Sequence, residues 1–260
     1  MSGRCGSSEP GGTLVLPPDA SWLQPDVPPR LPPGEVHVWR VSLAIPRDEE
    51  SARYAALAAD ERARADRFLV APARTQFVAA RSALRTILAG YVGKRPSDIA
   101  FQLGPIGKPA LSPPGREPLL FNLSHSRELA LVAVTRLGEI GVDVECVREM
   151  ASREQLAERF FHPNEVAALH TLPQADRASG FFNAWTRKEA FLKATGKGIS
   201  FGIDRVEVTL APGDGARVLT VDGSREAAER WSVATLEPAS GYIGAVAFEG
   251  RWDRIEQFTL

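Results

Sequence analysis

The stretch Gly141-Val142-Asp143-Val144-Glu145 decides how the chain around it folds. Acidic and apolar residues alternate, and this alternation predicts a β-strand with a side-chain period of two. Asp143 and Glu145 then point to one face of the strand, while Val142 and Val144 point to the other. Two carboxylates this close raise each other's pKa unless a positive charge lies between them.

The acidic face of this strand has two interpretations. Mg²⁺ prefers one or two protein carboxylates together with water and phosphate oxygens, so the pair predicts a metal ion bound to a phosphate substrate. The alternative is an antiparallel strand with one solvated face, where acidic residues are common. The strand alone leaves both interpretations open.

A second stretch carries another carboxylate and an ammonium group: Trp185-Thr186-Arg187-Lys188-Glu189-Ala190-Phe191-Leu192-Lys193. It lies in a predicted helix, and residues four apart share a helix face, so Trp185, Glu189 and Lys193 form one line. An exposed Glu-to-Lys pair is the structural alternative. The indole on the same line indicates that the line faces the protein, where an acid and a lysine need a functional reason to be present.

Together the two stretches resemble the signature of the 4′-phosphopantetheinyl transferases. The residues that carry the resemblance are Gly141 to Glu145 and, about forty positions later, Trp185, Lys188, Glu189 and Lys193. The length and the paired halves resemble the monomeric type that serves polyketide and nonribosomal peptide synthases. The resemblance implies Mg²⁺-dependent transfer of 4′-phosphopantetheine from coenzyme A to a serine of an acyl or peptidyl carrier protein, with release of adenosine 3′,5′-bisphosphate.

The resemblance also implies roles for individual residues. Asp143, Glu145 and Glu189 would hold Mg²⁺, and Asp143 and Lys193 would lie against the pyrophosphate of coenzyme A. Glu189 or Glu145 would accept the proton of the carrier serine. Glu165 is a further catalytic candidate because relatives have a glutamate there, although an acid in the first turn of a helix also has a structural role through the helix dipole.

Contacts to coenzyme A are implied in the first half of the chain, at Arg64, Gly107, Lys108, Pro109, Ser124 and His125. The residues themselves indicate that Lys108 is held in a glycine- and proline-containing turn, for which a plain hairpin is the alternative. His125 lies between two serines, but no Gly-x-Ser-x-Gly sequence surrounds it, so a serine hydrolase is not expected.

The composition excludes several classes of protein. With 260 residues and 44% apolar content the chain can bury a full core. A net charge of −1 predicts neither nucleic acid nor an anionic membrane as a partner. No apolar run approaches the roughly 20 residues that span a bilayer, and no signal-peptide pattern begins the chain, so we expect a cytoplasmic protein. Cys5 and Cys146 are expected to be free thiols.

The order of the predicted elements indicates how the chain is divided. Residues 1–34 contain eight of the twenty prolines and predict a poorly ordered or loosely draped leader. Strand, helices and strands then occur twice, in an N-terminal half (35–137, coenzyme A nucleotide contacts) and a C-terminal half (138–260, metal site and carrier contacts). This order predicts an α+β fold of two similar α/β halves related by a pseudo-twofold axis, with the active site in the cleft between them. Two halves in one chain favour a monomer.

The periodicity predicts the individual elements as well. The expected strands are 35–44, 99–103, 129–135, 140–147, 206–210, 231–236 and 242–248, and the expected helices are 48–68, 72–92, 152–160, 163–171 and 176–195. In the first strand His37 falls on the opposite phase from Val36 and Val38. This phase predicts an exposed histidine.

Two other functional classes remain open. A Mg²⁺-dependent hydrolase of nucleotide pyrophosphates would release free phosphopantetheine without any carrier protein. A non-catalytic module that binds coenzyme A or carrier proteins would be favoured by loss of a metal carboxylate or of Lys193, and this sequence retains all four residues.

Overall fold

The fold is known from a computed structural model that describes residues 22–104, 107–115, 118–196, 198 and 201–260. Its strands are β1 (Glu35–Ser42), β2 (Phe101–Leu103), β3 (Pro109–Leu111), β4 (Leu120–Ser126), β5 (Leu129–Thr135), β6 (Ile140–Cys146), β7 (Val206–Val208), β8 (Val218–Val221), β9 (Trp231–Leu236), β10 (Tyr242–Glu249) and β11 (Arg254–Thr259). Its helices are α1 (Arg47–Ala55), α2 (Ala59–Ala65), α3 (Ala71–Val92), α4 (Arg153–Phe160), α5 (Pro163–Thr171), α6 (Arg177–Thr195) and α7 (Arg225–Glu229). The α+β class predicted from the sequence is confirmed.

Two larger sheets organise the strands. One has the order β11-β1-β5-β4 and the other has the order β6-β10-β9, while β2-β3 and β7-β8 form separate two-stranded ribbons. In the first sheet β11 runs parallel to β1, and the other neighbours are antiparallel. The last strand therefore pairs with the first, so the end of the chain completes the sheet with which the described chain begins.

The core lies in layers around these two sheets. The apolar faces of both sheets meet in one cluster that includes Val38, Leu131, Val142, Val144 and Val246. A second cluster fills the space between the first sheet and α3, and a third lies between the second sheet and α6. The order of layers is therefore α3, first sheet, second sheet, α6. Val142 and Val144 face the core. Asp143 and Glu145 lie on the opposite face, as the alternation predicts, and point toward α6.

Gly141 allows α6 to lie directly on β6. A Cβ atom at this position would be 2.0 Å from the carbonyl oxygen of Ala190 and 2.4 Å from the amide nitrogen of Ala194. Both are backbone atoms of the helix, so no side chain fits without moving α6. This close approach brings the acidic face of β6 against the motif helix.

Several element predictions hold and others do not. Helices α3, α5 and α6 and strands β5 and β9 agree with the predicted ranges to within a residue or so. The single helix predicted over 48–68 is wrong, because the chain forms α1 and α2 with a break between them. Strand β11, strand β8 and helix α7 were not predicted.

The prediction of an exposed His37 is also wrong. Its side chain is 1% exposed, its Nδ1 atom lies 2.7 Å from the hydroxyl of Tyr91, and its Nε2 atom lies 3.2 Å from a carboxylate oxygen of Glu35. The cause is that β1 has a strand on each edge and is covered on both faces. In a strand that is covered on both faces, the side chains of both faces are buried.

The end of the proline-rich segment lies against β11. Residues 1–21 are outside the described ranges, but the amide of Leu23 donates to the carbonyl of Gln257 at 2.9 Å, and the amide of Thr259 donates to the carbonyl of Leu23 at 2.7 Å. Cys5 also lies outside the described ranges, whereas Cys146 is a free, half-buried thiol. None of the helices in the described ranges has both the length and the apolarity to cross a membrane.

Candidate active site

The two sequence motifs meet in one open pocket with a volume of about 470 Å³. Three elements line it: β4 contributes Leu123, Ser124 and His125, β6 contributes Asp143 and Glu145, and α6 contributes Trp185, Glu189 and Lys193. The line of Trp185, Glu189 and Lys193 that helical spacing predicts therefore faces the acidic face of β6. The pocket lies where the edge of the first sheet, β4, approaches the edge of the second, β6.

Asp143 is the most buried acid of this pocket, with 4% of its surface exposed. The Lys193 ammonium donates to its Oδ1 atom at 2.6 Å and to the hydroxyl of Ser124 at 2.8 Å. Ser124 in turn donates to the same Oδ1 atom at 2.8 Å. The other oxygen, Oδ2, is buried and has no hydrogen-bond partner among the described residues. One side of the carboxylate is thus fixed, and the other is an unused anionic acceptor.

Alternate residues of β4 tie the edges of the two sheets together. The side-chain oxygen of Asn122 accepts the amide of Val142 at 2.9 Å, and Ser126 donates to the Oε2 atom of Glu145 at 2.9 Å. Because Asn122, Ser124 and Ser126 share one face of the strand, each reaches β6 at a successive position. These contacts fix the orientation of both carboxylates on β6.

Glu145 and Glu189 both have a raised pKa. For Glu145 the main cause is burial, and the nearby charge of Asp143 adds to it, against the hydrogen bond from Ser126. For Glu189 burial is again the main cause and Asp143 the next. Three carboxylates at one place thus disfavour full ionisation, which is the conflict that a bound cation would relieve.

These residues could bind a metal ion only if a substrate and water supplied some of its ligands. Among the residues that the structure describes, no three acidic, histidine or cysteine side chains form a group that could hold a metal ion by themselves. The unpartnered Oδ2 of Asp143, beside two carboxylates whose ionised forms are disfavoured, nevertheless provides hard oxygen donors of the type that Mg²⁺ prefers. The donor set therefore suits a hard cation that takes its remaining ligands from a substrate and water.

A second pocket of about 250 Å³ adjoins the first and shares Glu189 and Lys193 with it. Gly107, Lys108 and Pro109 line it, so the predicted turn reaches the motif helix. The Lys108 ammonium lies 2.6 Å from a carboxylate oxygen of Glu139, 3.1 Å from the carbonyl of Ile140 and 3.3 Å from the carbonyl of Ala194. It therefore ties the start of β6 to the end of α6 at the edge of the pocket.

His125 is exposed at the rim of the larger pocket. Surrounding protein atoms partly desolvate its imidazole, and this desolvation, followed by the charge of Lys193, lowers its pKa. The side chain is therefore neutral at neutral pH, and a hydrogen bond from its N–H group is the contact it can offer to a phosphate.

Arg64 and Glu165 are not brought to either pocket. Arg64 is exposed on α2, and its guanidinium lies 5.1 Å from the centre of the Phe77 ring. Glu165 is 2% exposed and accepts hydrogen bonds from the amides of His162 and Val208, each at 2.8 Å. Its Oε2 atom also pairs with the buried ammonium of Lys188 at 2.5 Å. These contacts favour the structural role of Glu165, which lines neither pocket.

Sequence reasoning missed two residues that shape the site, Asn122 and Ser126. Both lie in the stretch Asn122-Leu123-Ser124-His125-Ser126, where only Ser124 and His125 were chosen as candidates. The signal that could have identified them is the polar residue at every second position of this stretch, an alternation that is typical of a strand and places both on the same face as Ser124.

Comparisons with known proteins show to which family the chain belongs. Residues 139–247, which include β6 and α6, match the family model described as the 4′-phosphopantetheinyl transferase superfamily. The chain is 41% identical over 231 residues to the 4′-phosphopantetheinyl transferase HetI of Nostoc sp., covering 88% of this chain and 94% of that one. It is 30% identical to a phosphopantetheinyl transferase of Thraustochytrium sp. (79% and 76% covered) and 31% identical to a 4′-phosphopantetheinyl transferase of Bacillus subtilis (62% and 70% covered). The chain therefore belongs to the 4′-phosphopantetheinyl transferase superfamily and is an enzyme of that class.

Proposed function

We propose that the protein transfers the 4′-phosphopantetheine group of coenzyme A to a serine hydroxyl of an acyl or peptidyl carrier protein, in a Mg²⁺-dependent reaction that releases adenosine 3′,5′-bisphosphate. The observation that carries the proposal is the convergence of Asp143, Glu145, Glu189 and Lys193 in one pocket. The serine oxygen forms a bond to the phosphorus next to the pantetheine arm, and the bond from that phosphorus to the bridging pyrophosphate oxygen breaks.

The metal ligands in this proposal are Asp143, Glu145 and Glu189. Mg²⁺ is commonly held by one or two carboxylates plus phosphate oxygens, so a site completed by the pyrophosphate of coenzyme A suits a carboxylate set that is not closed by itself. When bound, Mg²⁺ would neutralise the charge that develops on the leaving phosphate. Asp143 supports this assignment most directly because its Oδ2 atom is buried and lacks a partner among the described residues.

In this proposal Lys193 supplies a fixed positive charge to the pyrophosphate. Its ammonium is oriented by Asp143 and Ser124, and it is also shared between the two adjoining pockets. A pyrophosphate in these pockets would lie against an ammonium that needs no reorganisation. Lys108 and the flanking Gly107 and Pro109 line the smaller pocket, which supports their assignment to the nucleotide end of coenzyme A, with Ser124 and His125 as phosphate contacts.

Glu189 is the proposed proton acceptor for the attacking serine. Without a bound cation, burial and the charge of Asp143 raise its pKa. Its side chain lines both pockets, so a substrate in either can reach its carboxylate, as a general base requires. Glu145 also has a raised pKa, but its Oε2 atom is engaged by Ser126. Glu165 is left out of the proposed chemistry because it is buried in an ion pair away from the pocket.

The finer parts of the proposal concern the setting of the reaction. The carrier proteins would be those of polyketide and nonribosomal peptide synthases, and the enzyme would act as a cytoplasmic monomer. Residues 35–137 and 138–260 would be the two halves related by a pseudo-twofold axis, with residues 1–34 as a leader. Arg64 would contact the 3′-phosphate of coenzyme A only if the ligand extends beyond the two pockets toward α2.

Intact-mass spectrometry of an apo carrier domain tests the proposal. The domain is incubated with the protein, coenzyme A and Mg²⁺, with and without EDTA. We expect a mass gain of one phosphopantetheine group that EDTA abolishes. Coenzyme A cleaved without a mass gain would favour a hydrolase, and coenzyme A bound without cleavage, across several carrier types, would favour a binding module.

A further inference from the structure

A larger cavity, of about 630 Å³, lies beside another face of α6 and shares no lining residue with the two pockets of the active site. Ser179, Asn183 and Arg187 all line it. These residues are four apart, so they form one polar stripe along the helix. Arg187 is two positions from Glu189, which places the two side chains about 160° apart around the helix axis. The motif helix thus presents polar side chains to two separate cavities.

Arg187 is buried and makes no direct ion pair within the described ranges, and the nearby charge that acts on it is that of the exposed Asp214. Arg187 is 2% exposed, and it donates to the carbonyl and hydroxyl oxygens of Thr209 and to the hydroxyl of Thr235. All these acceptors are neutral. Its Nε atom is buried and has no hydrogen-bond partner within the described ranges. Burial lowers the pKa of Arg187 to about 10, so the guanidinium is still charged at neutral pH.

A buried cation with an unused donor is costly unless an anion compensates it. Glu165 provides that compensation for the neighbouring Lys188 on the same helix, whereas Arg187 has only neutral acceptors. A guanidinium group matches the two oxygens of a carboxylate or a phosphate, because its N–H groups form a planar fork. A bound oxyanion would supply the direct anionic partner that the guanidinium lacks among the described residues.

The other charged side chains of the cavity limit the charge of the ligand. Arg40 lines the cavity, but its guanidinium already donates to the carbonyl of Pro238 at 2.8 Å and to the hydroxyl of Thr259 at 2.9 Å. Asp214 and Glu237 also line it, and both are exposed. Two acids near the mouth oppose the entry of a polyanion such as coenzyme A, while a single negative charge is balanced by Arg187.

We propose that this cavity binds a small organic molecule with one carboxylate group, and that the carboxylate pairs with Arg187. The stripe residues Ser179 and Asn183 would offer hydrogen bonds to the rest of the molecule. The volume is within the range of about 300–1,000 Å³ that is usual for small-molecule sites. Binding here is independent of the transfer reaction, so the test needs neither a carrier protein nor turnover.

The test follows the Nε–H signal of Arg187 by NMR while acetate is added as the probe, with coenzyme A and Mg²⁺ present at saturation. Inorganic phosphate and chloride at equal ionic strength are the comparison titrations. We expect a saturable shift of this signal with acetate, a weaker one with phosphate and none with chloride. A ligand-dependent shift is a result that a purely structural Arg187 would not produce.

The matched variant is Asp214→Asn, which removes the exposed acid whose charge acts on Arg187 and leaves the active-site pockets unchanged. It should tighten acetate binding by about two- to five-fold, the range expected for one exposed charge. An Nε–H signal unmoved by acetate, or moved equally by chloride, would overturn the proposal. An acetate shift that occurs only when coenzyme A is left out would place the probe in the active site and overturn the proposal, and tighter binding of phosphate than of acetate would overturn the carboxylate assignment.

Discussion

Lys188 and Glu165 show how a motif residue can serve the fold rather than the chemistry. The Lys188 ammonium is fully buried, pairs with Glu165 at 2.5 Å and donates to the carbonyls of Ile203 and Val206 at 3.0 and 2.6 Å. It therefore holds the chain that leads into β7 against α6. Glu189, the next residue, points to the active-site pocket. Two adjacent residues of α6 therefore have different roles: Lys188 stabilises the core and Glu189 lines the active-site pocket.

Replacement of Glu165 tests the structural role of this pair. Glu165→Gln leaves the buried ammonium of Lys188 without its direct ion-pair partner, so the free energy of unfolding should fall by about 3–5 kcal/mol. Urea denaturation measures this change. The control Glu158→Gln removes an exposed acid from α4 and should change stability by less than about 0.5 kcal/mol. Equal stabilities of the two variants would contradict the structural role.

His37 should make the stability depend on pH. Burial is the main cause that lowers its pKa, against the hydrogen bond to Glu35. In the unfolded chain His37 binds a proton below its ordinary pKa, whereas in the native protein it stays neutral to lower pH. The free energy of unfolding should therefore fall as the pH drops through about 6.5. We expect His37→Gln to reduce the slope of unfolding free energy against pH between pH 7 and 5. Urea titrations at several pH values measure this slope. The control His170→Gln replaces an exposed histidine and should keep the wild-type slope. An unchanged slope in His37→Gln would refute the assignment of the pH dependence to His37.

At the scale of elements, the contact between β6 and α6 positions the site. Gly141→Ala should destabilise the protein by about 1–3 kcal/mol or more, because the added Cβ meets two backbone atoms of α6. The same variant should lose transfer activity, because the helix that carries Glu189 and Lys193 must move away from Asp143. Thermal unfolding and the carrier mass assay measure the two effects.

Gly93→Ala is the control for this substitution. Gly93 ends α3 at a φ of 64°, and a Cβ atom added there would have nothing within 4 Å, so only the left-handed backbone conformation opposes alanine. This variant should cost about 1 kcal/mol and retain transfer activity. If Gly141→Ala behaved like the control in both assays, close packing of α6 on β6 would not be required.

Local periodicity predicted the helices and strands that have a clear pattern of apolar residues. It failed where contacts between residues far apart in the chain determine the structure. Strand β6 and helix α6 carry their own alternation and helical spacing, so both were found with nearly correct ends. The break between α1 and α2 was missed because it depends on Glu61. That side chain accepts the amide of Ala58 at 2.9 Å and pairs with Arg81 and Arg85 of α3, and contacts of this kind leave no periodic signal.

At the scale of the whole molecule, the pairing of β11 with β1 joins the two ends of the described chain. Phe258 of β11 is 5% exposed, and its ring centre lies 4.9 Å from those of Trp39 and His37 on β1. Phe258→Ala should lower the free energy of unfolding by about 3–5 kcal/mol through the cavity that it leaves. Leu260→Ala, two residues on and 41% exposed, should stay within about 0.5 kcal/mol of wild type. Chemical denaturation that found equal losses would contradict a structural role for β11.

The packing of the two sheets determines which parts of the site could be predicted from the sequence. Asp143, Glu145, Glu189 and Lys193 were accessible because each belongs to a local pattern within one strand or one helix. The approach of β4 to β6, which makes Asn122 and Ser126 important, arises only when two sheets pack together. The parallel pairing of β11 and the cavity beside Arg187 likewise depend on segments far apart in the chain.

The most direct test of the active site is the rate of carrier modification by Glu189→Gln at saturating Mg²⁺ and coenzyme A, followed by intact mass. If Glu189 acts on both the metal and the serine proton, the rate should fall by about 10²-fold or more, while thermal unfolding shows an intact fold. The exposed variant Glu149→Gln should keep the wild-type rate. A wild-type rate for Glu189→Gln would contradict the assignment of the chemistry to the junction of β6 and α6.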